Sequence, residues 1–348
     1  MTNFGILDLV IGLAFIYFIL SVICTSIVEI VAQAKNLRAA SLNKWIKDSF
    51  NTAQGGTLGD QIINHGLVDG LTMKGRIASF IPANVFSAAL FDIIYQNYIK
   101  SQQKSDAGLT FNCERLREAI LSEETIIPAD LRRYMLQAID ECQDVQKNID
   151  LLKTRIEHWY EDAMDRLTGT YRKKTRVITI IAAIALTVGI NADTIAITKY
   201  LKDNPQQAEL LATTAAKVAK DSTLYKQTVV KLDSIKSKLD TSSAHAAASI
   251  QETINMSIAA QQQGDSLYRS MTTVGIPMGW TQPTITEGLK HEKDVKGKIL
   301  FILSLIVKSF IGWMFTAAAI TLGAPFWFDI LNKFVNIRSA GKKPSSTK

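Results

Sequence analysis

One stretch limits what this chain can fold into more than any other: Val177 to Ile197, VITIIAAIALTVGINADTIAI, with a single ionisable side chain, Asp193, near its end. A helix rises about 1.5 Å per residue, so about 20 apolar residues cross the ~30 Å hydrocarbon of a bilayer. Only a helix suits such a crossing, because lipid offers no partner to backbone N–H and C=O groups. Arg172-Lys173-Lys174-Thr175-Arg176 stands directly before it. Lys and Arg beside a span resist translocation, so this block marks the cytoplasmic end. The rest of the chain has to be arranged around a crossing of defined direction.

Two further apolar runs flank it, Gly5 to Val28 and roughly Ile299 to Phe328. The first is preceded by no Lys or Arg and followed by Lys35, Arg38, Lys44 and Lys47. It reads as a retained span with its N-terminus exported. In the last run, Lys308 interrupts the apolar residues. A charge at mid-bilayer costs at least about 2.5–3.5 kcal/mol. Hydrocarbon is therefore expected from near Lys308 to near Trp327, with Lys308 snorkelling outward. Asp8 falls at similar depth and is the candidate ion-pair partner of Lys308. Pro325-Phe326-Trp327-Phe328 then reads as an inner aromatic belt, with Lys333, Arg338, Lys342 and Lys343 inside.

The expected fold is an all-α membrane protein. It has transmembrane helices in residues 1–32, 176–197 and 299–328, the last with an interfacial lead. Residues 33–175 form a cytoplasmic helical domain, residues 198–298 an extracytoplasmic helical hairpin, and residues 329–348 a cytoplasmic tail. The N-terminus is expected outside and the C-terminus inside. The formal net charge of +7 does not point to nucleic acid, because the basic residues cluster beside the spans. They fit anionic lipid headgroups on the cytoplasmic face. Trp159, Tyr171, Arg172, Lys173, Lys174, Trp327 and Lys333 are the expected inner-interface anchors.

Within the cytoplasmic region, Val145, Ile149, Leu152, Ile156 and Trp159 follow spacings of four and three, a heptad-like stripe. A helix on this stripe runs toward the central span, with Gly169 as an expected joint. Ile77 to Ile94 is apolar but holds Pro82, Asn84 and Asp92, so it reads as an amphipathic helix at the membrane face or in the domain core. Outside, Asp203-Asn204-Pro205 breaks the chain. Ala208 to Asp240 and Ala246 to Met271 then read as helices rich in Ala, Gln, Ser and Thr. Helices this poor in apolar area are marginal alone. They gain by pairing with each other or with other copies, which predicts a homo-oligomer and leaves the hairpin as a surface for a protein partner.

No nucleotide-binding loop, GxSxG elbow or CxxC occurs. The three cysteines make no disulfide framework. The four histidines are scattered. Glu157, His158, Glu161, Asp162 and Asp165 are the best metal-like cluster, and a hydrolase site there is a third idea behind the two below; an acidic helix surface is by far the commoner reason for such a cluster. No catalytic residue, metal or cofactor is assigned. In the central span Thr187 and Asn191 share a helix face. Groups so placed join helices by hydrogen bonds or line a pore.

Two runs carry a resemblance: Ile156 to Arg176, IEHWYEDAMDRLTGTYRKKTR, and Gly323 to Pro344, GAPFWFDILNKFVNIRSAGKKP. With the Asn191-Ala192-Asp193 pattern and Ser79 to Asp92, they resemble a family of uncharacterised bacterial integral membrane proteins. The resemblance implies topology and bacterial origin but no chemistry. The function expected is a non-enzymatic scaffold or anchor of the inner membrane that self-associates. The alternative is an oligomeric channel or pore-forming effector with Thr187 and Asn191 at the lumen.

Overall fold

The structure, a computed structural model, describes residues 5–52, 57–71, 78–102, 113–122, 127–140, 148–220, 262, 275–280, 282–291 and 294–340. Apolar residues three and four apart make helices here. Among the described residues the one extended pairing is a single bridge between Asn51 and Thr57. Helices α1 (Gly5–Ala34), α2 (Leu37–Phe50), α3 (Leu58–Ile63), α4 (Gly66–Asp69) and α5 (Ala83–Ser101) come first. Then follow α6 (Cys113–Leu121), α7 (Ala129–Asp140), α8 (Asn148–Gly189), α9 (Thr194–Asp203) and α10 (Pro205–Lys220). The described set closes with α11 (Pro283–His291), α12 (Val295–Thr321) and α13 (Ala324–Ala340). The expected outer helices beyond Lys220 lie outside the described residues.

The chain divides into two units. One holds α2 to α7 and the first part of α8. Its core is aromatic: Phe86 stacks on Tyr160 at 4.1 Å, and Trp159 meets Phe50 at 6.0 Å and Tyr134 at 6.3 Å. Leu152 and Ile156 of the heptad-like stripe are buried on the inward face of α8, with Tyr160 beside them; Val145 lies outside the described residues. Trp159 is half-buried and packs against the edge of this core. Tyr160 donates to the Ile81 carbonyl at 3.0 Å, and burial pushes its phenol well above the ordinary value of 10.0. Ile81, Phe86, Leu90 and Ile94 are buried here, so the described part of the patch, from Ala78 on, packs in the domain core; Ile77 lies outside the described residues. Gly59 is required by close approach, since a Cβ there would sit 2.7 Å from the Ile46 carbonyl oxygen. The helix runs through Gly169 without a joint.

The other unit is built on α1. The most apolar window of α1 is 72% buried, against 17% for α12. Three contacts give the direction of α13. Phe328 meets Phe18 at 5.7 Å, Trp327 meets Tyr17 at 4.6 Å, and Arg338 Nε lies 2.7 Å from Asp8 Oδ1. Rising numbers on α13 match falling numbers on α1, so the two helices are antiparallel. Ser21 donates to the Ile320 carbonyl at 3.3 Å, so the end of α12 lies beside the middle of α1. Gly323, at φ +88°, then reverses the chain. Only glycine takes that conformation without steric cost.

Three expectations are corrected by this. The last apolar helix ends at Thr321 rather than running on to Trp327, because Gly323 turns the chain. Residues 329–340 are not a tail but most of α13, held by an apolar stripe at Ala324, Phe328, Leu331 and Val335. Asp8 pairs with Arg338, not Lys308; Lys308 is exposed on α12.

Among the described residues two helices, α1 and α12, are long and apolar enough to cross a membrane, and a third crossing is made if α8 and α9 count as one bent span. The outward side chains of α12 include Leu303, Val307, Phe310 and Met314, as hydrocarbon requires. This is a helical membrane-type protein.

Candidate functional site

The central span is not one helix. α8 stops at Gly189, α9 starts at Thr194, and the two are bent by 50°. Asn191 sits at φ +47°, a left-handed conformation that Asn tolerates better than most residues. Asp193 caps α9: its Oδ1 accepts from the Ile195 and Ala196 amides at 2.8 and 3.2 Å.

A break in a helix frees backbone carbonyls, and each buried one must find a donor. The structure supplies them. The Leu186 carbonyl accepts from Ile190 N, and the Thr187 carbonyl from Ala192 N. The Val188 carbonyl accepts from Asn191 N and, at 3.0 Å, from Trp280 Nε1. The Ile190 carbonyl accepts from Gly279 N at 2.6 Å. The Asn191 side chain is used at both ends. Its Oδ1 accepts from Trp313 Nε1 at 3.0 Å, and its Nδ2 donates to the Gly279 carbonyl at 3.3 Å. Trp280 and Trp313 meet edge to face at 5.8 Å beside it.

A chain of hydroxyls ties the break to α1 and α12. Thr316 Oγ1 donates to the Ala192 carbonyl at 2.6 Å. The same oxygen lies 3.0 Å from the Gly312 carbonyl. Thr316 and Thr194 are hydrogen-bonded at 2.7 Å, and Thr194 and Tyr17 at 2.9 Å. Hydroxyls linked in this way polarise one another in a buried setting. Gly312 is what lets α12 approach: a Cβ there would lie 1.7 Å from Asp193 Oδ1.

The two residues singled out in the span behave differently. Asn191 joins helices through its side chain. Thr187 is fully buried, and its Oγ1 has no hydrogen-bond partner among the described residues. Neither faces outward. Trp327 packs on Tyr17 and donates its Nε1 proton to the Ala319 carbonyl at 2.6 Å. That bond closes the turn into α13 and leaves Trp327 half-buried. Arg172, Lys173, Lys174 and Lys333 are exposed, and Tyr171 is half-buried.

A second buried polar point lies at Asp8 and Arg338, each 7% exposed, with Glu209 Oε1 at 4.0 Å from the guanidinium. Sequence reasoning missed Arg338 as a core residue. Its signal was present: Ala324, Phe328, Leu331, Val335 and Arg338 are spaced four, three, four and three. In the helical domain, Glu157 accepts from Ser87 at 2.9 Å and His158 lies 3.4 Å from Glu161. Among the described residues no three His, Cys, Asp or Glu side chains are grouped to hold a metal.

No protein family, curated protein or solved structure matches the chain. The chemistry of the break itself is a lock. It joins α1, α8, α9, α12 and residues 279–280 through groups that would otherwise be orphaned.

Proposed function

We propose that this chain is a non-enzymatic scaffold or anchor of the bacterial inner membrane that self-associates through its helices. The observation that carries the reading is the internal bonding of the break. Asn191, Asp193, Thr194 and Thr316 spend their polar atoms on one another and on the backbone. Such a site holds helices together and offers little to a ligand. The resemblance to uncharacterised bacterial membrane proteins agrees with the setting.

In this reading α1, the bent α8–α9 pair and α12 are three crossings, and α13 returns alongside α1. The domain of residues 33–175 is cytoplasmic. Exposed Arg172, Lys173 and Lys174 meet anionic headgroups on that side. The start of α1 and the end of α13 then share the outer face. Single cysteines at Ile6 and Ser339 should react alike with a membrane-impermeant maleimide added to intact cells, and a cysteine at Lys174 should stay shielded. Opposite reactivity of Ile6 and Ser339 would reject the shared side.

The channel alternative asks Thr187 and Asn191 to face a lumen. Both are buried within a single copy, which favours the scaffold. Purified protein in mild detergent is expected to run as a dimer or larger assembly when its mass is measured by light scattering. A monomer across the accessible concentration range would defeat the proposal.

A further inference from the structure

The unit built on α1 has two unlike sides. Outward residues of α12 such as Val307, Phe310 and Met314 suit lipid chains. On α10 and α13, which pack side by side, the outward residues differ. α13 exposes Asp329, Lys333 and Asn336 alongside Phe326 and Ile337, and α10 exposes Glu209, Thr213 and Lys217 alongside Leu210. Yet both helices cover α1 along its apolar stretch: Phe328 meets Phe18, Arg338 meets Asp8, and Leu211 lies against Gly12. Lipid tails cannot hydrogen-bond such a strip, so it needs a polar neighbour.

The strip also carries both signs, with Glu209 and Asp329 negative and Lys217 and Lys333 positive. A surface with both signs can complement itself across a two-fold axis, where each residue type meets its opposite on the other copy. We propose that the α10–α13 face is the contact between two copies of this chain, while the outward faces of α12 and the end of α8 meet lipid. This rests on the self-association proposed above and names its surface.

The test uses the full chain in native membranes, with Cys24, Cys113 and Cys142 replaced by alanine. Single cysteines at Lys333, Thr213 or Phe310 are treated with a short bifunctional maleimide. Cross-linked dimer is expected at Lys333 and Thr213 and not at Phe310. In the chain with its natural cysteines, Lys333→Asp turns opposite charges into like ones. It should weaken dimerisation by about tenfold, read as the shift in dimer dissociation on dilution in detergent. Dimer at Phe310 alone, or unchanged dissociation in Lys333→Asp, overturns the face while self-association stands. Absence of cross-links at all three positions, together with a monomeric mass, overturns self-association itself.

Discussion

Arg338→Ala should be among the most damaging single substitutions in this protein, costing about 3–5 kcal/mol. The guanidinium is 7% exposed and lies 2.7 Å from the equally buried Asp8 carboxylate. Removing it strands a charge in a site with little water. The loss is then mostly the desolvation of Asp8, with the lost attraction a smaller part. A double variant makes the argument testable. Asp8→Asn with Arg338→Leu removes both charges and keeps side-chain bulk, so it should recover most of the stability. Unfolding of the purified protein by SDS titration from mild detergent, followed by circular dichroism, checks both. A small effect of Arg338→Ala would show that water or Glu209 already satisfies the pair.

Gly312→Ala is expected to cost about 2–4 kcal/mol, an unusual loss for adding one methyl group. The new Cβ would lie 1.7 Å from Asp193 Oδ1 and 2.4 Å from its Cγ. A free carboxylate would swing aside cheaply. This one is pinned by two amides of α9. Either the cap is lost or α12 retreats, and retreat also pulls Trp313 from Asn191 and Thr316 from Ala192. Asp193→Ala alone should cost about 1 kcal/mol as an ordinary cap deletion. In that background Gly312→Ala should become mild, and the same SDS titration gives the coupling. Additive losses would mean that the clash is relieved elsewhere.

Much of the helical layout is legible in the chain. The inward face of α8 follows from Leu152, Ile156 and their neighbours three and four apart, and those residues are buried. Pro205 opens α10 where Asp203-Asn204-Pro205 marks a break, because proline lacks the amide that a first helical turn leaves unused. The candidate site was legible only in part. Asn191 could be picked out as a polar group needing a partner, but nothing nearby in sequence identifies that partner. Trp313 lies 122 residues away and Gly279 lies 88 away. Asp8 was likewise visible as a charge at the outer edge of the first span. Its partner was assigned by depth along a straight last span, and the reversal at Gly323 changed that depth.

From residue order alone come the apolar lengths, the basic flanks, the stripes and the glycine and proline punctuation. Each depends on the backbone and on neighbours within a few turns. Whether Val177 to Ile197 stays one helix does not depend on them. An unbroken helix satisfies its own backbone, so it is the default in lipid. A broken one becomes stable only when distant side chains bond the carbonyls it frees. Trp280, Trp313 and Thr316 do so here, and only packing in three dimensions brings them to the break.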